Sequence, residues 1–223
     1  MKRKIIILIL VFWIIPISSI AGVKPKGAPC PIKYVRNISD KMITILNTTK
    51  GTLSLNQIKQ IREQLHGFID CEKLSELLLG SFYNDLLPEQ KKEFQEELSK
   101  HISTNYLLKV NRSRDDQGQI EIIYPKKVPY KTTKRNGKAE ELCMVKICIK
   151  KGDSSHTEIK LYGTLKNNGW PAYNIAVDDV KMLGNFRSQF KSYIRKGKTP
   201  AQIIAIVREK VTKLEKDIQK EFM

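Results

Sequence analysis

Apolar residues in this chain recur at every second position through the middle of the sequence and at every third or fourth position on both sides of it. That change of period limits the fold more than any other feature, because a two-residue repeat suits a strand with one buried face and a repeat of three to four suits a helix. Ile120 and Ile122 alternate with Gln119 and Glu121; Val145, Ile147 and Ile149 alternate with Met144, Lys146 and Cys148; Ile159, Leu161, Gly163 and Leu165 alternate with polar partners. Trp170 to Val177 reads as the last strand. The segments are broken by Asn136-Gly137, Gly152-Asp153 and Asn167-Asn168-Gly169, residues that favour tight turns, so the expected arrangement is an antiparallel meander.

The flanks are helical. Pro31 opens a helix with Ile32, Val35, Met42, Ile45 and Leu46 as its apolar positions, ending near Asn47 to Gly51. Ser54 and Gln57 form a capping box ahead of Leu55, Ile58, Ile61, Leu65 and Phe68. Asp70 caps a helix bearing Leu74, Leu77 and Leu78 and stopped by Gly80. Pro88 starts another with Phe94, Leu98, Ile102 and Tyr106 inward. After the strands, Phe186, Phe190 and Ile194 share one helix face beside a basic row of Arg187, Lys191 and Arg195, and Gly197 ends that helix. Thr199, Pro200 and Gln202 open the next, whose apolar face is Ile203, Val207, Val211, Leu214 and Ile218. Helices, strands, then helices predict an α+β fold, with helices packed on one face of an antiparallel, curved sheet.

Met1 to Lys4 is cationic, Ile5 to Ile17 is apolar apart from Pro16, and Ser19-Ile20-Ala21 supplies small residues where a signal peptidase reads. The apolar run is shorter than the ~20 residues of a spanning helix. A signal peptide over residues 1–21, cut after Ala21, is therefore expected, leaving residues 22–223 as one domain. The formal charge of +17 would ordinarily suggest nucleic acid, but export argues against that partner and none is expected. An anionic membrane surface, an acidic protein or simple solubility are the remaining uses of such a charge. Cys30, Cys71, Cys143 and Cys148 are an even number in an exported chain. A single strand over 142–149 would place Cys143 and Cys148 on opposite faces, which leaves the two crossed pairings or free thiols. His66, His101 and His156 show no metal-ligand spacing, and no cofactor is expected.

Two stretches carry a family resemblance. Leu74 to Leu98 (LSELLLGSFYNDLLPEQKKEFQEEL) has the Leu79-Gly80 turn, the Phe82-Tyr83 pair, the Pro88-Glu89-Gln90 helix start and Phe94. Gly169 to Gly197 (GWPAYNIAVDDVKMLGNFRSQFKSYIRKG) has Trp170, Tyr173, Val180, Asn185, Arg187, Ser188, Gln189, Phe190 and Gly197. Both resemble the signature regions of the MlaC, or toluene-tolerance, family of periplasmic phospholipid-binding proteins. The chain departs from the family at Leu87, where a Thr or Ser cap is usual, at Asn174 for an aspartate, at Asp179 for a glycine, and in having four cysteines.

The resemblance implies a periplasmic carrier without catalytic residues that holds acyl chains in an apolar cavity between helices and sheet. Its partners would be a phospholipid ligand, an outer-membrane lipoprotein complex and an inner-membrane ABC transporter complex. The expected lining is Leu77, Leu78, Phe82, Tyr83, Phe94, Leu98 and Tyr106 from the helices, Val145, Ile147, Ile159 and Leu161 from the sheet, and Phe186 and Phe190 from the stretch after it. Arg187 and Lys191 are candidates for the headgroup or for a partner protein. A filled core would give the same apolar pattern. Two other classes fit the sequence: an exported adaptor that binds protein through its basic face, and a cavity enzyme using Asp85, His156 or Glu158.

Overall fold

The structure is a computed structural model, and it describes residues 30–49, 51, 53–112, 120–135, 138–151, 155–166 and 169–222. The expected signal peptide with its cut after Ala21, and the turn residues Asn136, Gly137, Gly152, Asp153, Asn167 and Asn168, lie outside the described residues. Among the described residues the α-helices are α1 (Pro31–Thr48), α2 (Leu55–Phe68), α3 (Cys71–Leu79), α4 (Pro88–Arg112), α5 (Met182–Arg195) and α6 (Pro200–Phe222). A 3-10 helix over Gly80–Asp85 links α3 to α4. The strands are β1 (Ile120–Ile123), β2 (Tyr130–Arg135), β3 (Lys138–Lys151), β4 (Ser155–Thr164), β5 (Ala172–Val177) and β6 (Val180–Lys181).

Local chemistry sets the helix ends as the sequence reading expected. The Ser54 hydroxyl accepts from the Gln57 N–H at 3.3 Å while the Gln57 side chain accepts from the Ser54 N–H at 2.9 Å. Thr199 and Gln202 repeat the pattern at α6, at 3.1 and 3.3 Å. At α4 the missing hydroxyl of Leu87 leaves half of such a box: the Gln90 side chain still accepts from the Leu87 N–H at 3.0 Å. Asn174, in place of an aspartate, accepts from the Leu183 N–H at 3.0 Å and so serves the first turn of α5. Gly80 ends α3 at a φ of 61°, a conformation open to glycine at little cost.

The sheet is antiparallel, in the order β1-β3-β4-β5-β6, and β2 shares the outer edge of β3 with β1. Val145, Leu161 and Ile175 lie side by side across β3, β4 and β5 and are buried under the helices. The opposite face carries Lys146 and Lys160, both paired with Glu158. Three differences from the expected elements have physical reasons. β2 was not anticipated, because its sequence YKTTKR offers one apolar residue, Tyr130, and is held by backbone pairing with β3. The last expected strand begins later, at Ala172, and is followed by β6, a two-residue return formed around Asp178 and Asp179. Those two aspartates have φ of 46° and 65°, the left-handed region, which glycine adopts at less cost and aspartate tolerates better than most residues. Finally, Leu55 was expected inward and is 58% exposed, since it is the first residue of α2.

A register shift at Tyr162/Gly163 places a bulge between β4 and β5, which bends the pair. It accommodates Trp170, fully buried, whose ring lies where a Gly163 side chain would be. The apolar interior has three clusters. One joins α3, the 3-10 helix, α4, α5 and α6 around Phe94, Leu98 and Phe190. Another joins α1 and α2 to the sheet around Val35, Phe68, Val145 and Trp170. The third lies among α1, α2, α4 and α6. Tyr106 touches all three.

Candidate functional site

The expected lining residues divide between two of these clusters. Leu78, Phe82, Tyr83, Phe94, Leu98, Phe186 and Phe190 belong to the helical cluster or pack against it. Val145, Ile147, Ile159 and Leu161 belong to the sheet cluster or pack against it. Leu77 is half-buried. Phe94 meets Phe190 edge-on, ring centroids 5.4 Å apart, and Phe94, Leu98 and Val145 have no exposed surface. Tyr106 bridges the two groups from α4, its hydroxyl 3.8 Å from the Met182 sulfur, and burial pushes its pKa up to about 12.

A cleft of about 560 Å³ opens beside Tyr106. His101, Ile102, Asn105 and Tyr106 of α4 form one wall; Val177 of β5 and Val180 of β6 form another. Met182, Asn185, Phe186 and Gln189 of α5 and Lys210 of α6 complete it. Of the expected lining, Tyr106 and Phe186 reach this cleft. Its floor is apolar, with Ile102 fully buried, and its mouth includes the exposed residues Val180, Asn185 and Gln189. The volume lies within the ~300–1,000 Å³ range of small-molecule sites.

Arg187 and Lys191 are exposed on the outer side of α5 and do not line the cleft. The cation that does is Lys210, which the sequence reading passed over. Its Nζ donates to Gln189 Oε1 at 2.8 Å and lies 5.5 Å from the centre of the Tyr193 ring. Position i+3 from the buried Val207 puts Lys210 on the border of the apolar face of α6, a signal present in the sequence but shared by many surface lysines. His101 was likewise passed over. Burial, and then the nearby Lys210 charge, lower its pKa to about 4, so it is neutral at pH 7.

Two smaller hollows are lined mainly by charged and polar residues. One of about 280 Å³ between α2, α4 and α6 holds the Arg62–Glu215 pair at 2.8 Å and the His66–Ser99 contact at 2.6 Å. The other, about 350 Å³, holds the Asp70–Lys166 pair at 2.8 Å. The candidates for enzyme chemistry are not assembled: Asp85 and His156 are exposed on separate elements, and Glu158 sits between two lysines that keep its carboxyl below the usual range. Cys30, Cys71, Cys143 and Cys148 are all free thiols, and burial raises the pKa of Cys71 to about 11 and of Cys143 to about 12. Among the described residues no group of three or more His, Cys, Asp or Glu could hold a metal ion, and no helix is long and apolar enough to cross a membrane.

An α+β layer of helices over an antiparallel sheet, with an amphipathic cleft at the seam, is the class this geometry defines. A solved structure of the same fold is the phospholipid-binding protein from Ralstonia solanacearum in complex with a phospholipid. It superposes with a TM-score of 0.66 at 14% sequence identity, over 84% of this chain and 99% of that one. At that identity the likeness concerns the fold. No curated protein matches the chain. The MlaC protein family matches residues 36–209, well over half of the chain. The chain therefore belongs to the MlaC family of phospholipid-binding proteins, which carry lipid and are not enzymes.

Proposed function

We propose that this protein is exported, with residues 1–21 removed, and that residues 22–223 carry phospholipid across the periplasm. The carrier receives or delivers its lipid at an outer-membrane lipoprotein complex and at an inner-membrane ABC transporter complex, which maintains the asymmetry of the outer membrane. The observation that carries the reading is the cleft beside Tyr106, which opens at the seam between the helical and sheet clusters. Family membership and the phospholipid found in the Ralstonia protein support it.

Physical chemistry requires such a seam. Each buried methylene is worth about 0.8 kcal/mol, so a ~16-carbon chain carried through water in the open would cost roughly 13 kcal/mol. A carrier must cover at least one chain. Tyr106 and Phe186 already face the cleft; Phe82 and Ile159, partly buried at the edges of the two clusters, become lining when the seam widens, with Leu78, Tyr83, Phe94, Leu98, Val145, Ile147, Leu161 and Phe190 as the packed walls behind. Arg187 and Lys191 project outward from α5 and suit an acidic face of a partner protein.

Native mass spectrometry of the mature protein purified from a bacterial periplasm tests the proposal. Near-stoichiometric phospholipid is expected. A folded protein that is lipid-free and also fails to take up added phospholipid would overturn it.

A further inference from the structure

Three cations of the helical layer have acidic partners: buried Lys73 pairs with Glu140, half-buried Arg62 with Glu215, and exposed Arg208, two residues before Lys210 on α6, with Glu93. Half-buried Lys210, which lines the cleft, is held differently. Among the described residues it makes no ion pair, and its partners are the neutral Gln189 amide and the face of Tyr193. A partly desolvated ammonium without a counter-charge is costly, and an anion that enters the cleft would supply one.

The surroundings specify the anion further. Asn105, Asn185, Gln189 and His101 share the cleft with Lys210 and bring amide and imidazole N–H donors to the same space. A neutral histidine donates one N–H and leaves the net charge of this end at that of the lysine alone. A phosphate, with several acceptor oxygens, uses such a set more fully than a carboxylate does. The other end of the cleft is apolar, at Ile102, Tyr106, Val177 and Phe186. One ligand that satisfies both ends is an amphiphile with a phosphate at its head.

Resting on the carrier reading, we infer that Lys210, with Asn105, Gln189 and His101 around it, is the subsite that takes the phosphate of the lipid headgroup while the acyl chains enter the seam beside Tyr106. The basic residues singled out by the sequence, Arg187 and Lys191, then have no part in headgroup binding.

The test displaces a fluorescent acyl-chain probe from the mature protein with dioctanoyl phosphatidylglycerol, with dioctanoylglycerol, which lacks the phosphate, and adds a separate calorimetric titration with inorganic phosphate. Wild type should bind the phospholipid at least tenfold more tightly than the diacylglycerol. Lys210→Met should remove that preference with diacylglycerol binding unchanged, Lys210→Arg should retain most of it, and Lys191→Met should leave it intact. A preference that survives Lys210→Met, or a Lys210→Met protein that loses both lipids equally although its melting temperature is unchanged, overturns the subsite. If wild type takes neither lipid yet binds inorganic phosphate through Lys210, the carrier reading falls and the anion site stands with free phosphate as its ligand. If it binds none of the three, both fall.

Discussion

The imidazole of His101 stands edge-on to the ring of Phe186, with ring centroids 5.4 Å apart and planes at 78°. Burial in that contact, and then the charge of Lys210, hold its pKa near 4 in the fold against 6.5 for the free side chain. Between these values the unfolded chain binds the proton more readily, so stability is fully present above about pH 6.5 and falls as the pH drops toward 4. Partial exposure discounts the loss to about 2 kcal/mol. Urea midpoints at pH 7.5 and pH 4 should differ accordingly, and His101→Gln should reduce that difference; equal pH dependence in both proteins would mean that His101 contributes none of it.

Gly163 is required by close packing. A Cβ at this position would lie 2.3 Å from Trp170 Cε2 and 2.8 Å from the Pro171 carbonyl oxygen. Gly163→Ala should destabilise by about 3 kcal/mol, because Trp170 is fully buried and has nowhere to move. Combining it with Trp170→Phe should cost less than the sum of the single changes, read from a denaturation cycle.

Lys73 has only 10% of its side chain exposed and is held by Glu140 and by Thr164 Oγ1 at 2.9 Å, with the Tyr173 ring centre 4.9 Å away. Removing the carboxylate alone leaves a buried ammonium short of its counter-charge. Glu140→Gln is expected to cost about 3 kcal/mol, whereas replacing both partners with apolar residues should cost much less. Thermal melts of the single and double variants distinguish the two cases.

Phe186 and Phe190 lie one helical turn apart on α5 and should respond differently. Phe190 is buried against Phe94 and Tyr193, so Phe190→Ala should cost about 3–5 kcal/mol, and a charge there would report on folding before it reported on lipid. Phe186 is partly exposed in the cleft, and Phe186→Ala should cost about 1 kcal/mol in stability while markedly lowering lipid occupancy. Lipid retained in full by the Phe186 variant would remove that ring from the lining.

Legibility from the sequence followed the range of the forces involved. Helix starts such as Ser54 with Gln57 and Thr199 with Gln202, and the stop at Gly197, depend on neighbours three or four residues away, and they stand where the pattern placed them. The alternation in β3 likewise put Val145 and Ile147 inward, while Ile149, at the end of the same row, is only partly buried. Strand β2 lacks an apolar alternation and exists because β3 offers an edge, and β6 depends on two aspartates adopting a left-handed turn. Both are tertiary pairings with little local signal.

The sequence by itself determined the six helices, the alternating strands β1, β3 and β4, most of the inward faces and the family signature, because periodicity, caps and turn residues act over a few positions. Only the tertiary structure decided which apolar side chains are packed wall and which face open space. Phe186 and Phe190 repeat on the same helical face, yet one meets a cleft and the other meets Phe94, a difference created by what α4 brings opposite each. The same holds for charge. Arg187 and Lys191 stand beside the aromatic face in the sequence, but the packing of α6 on α4 sets Lys210 in the cleft and leaves them outside.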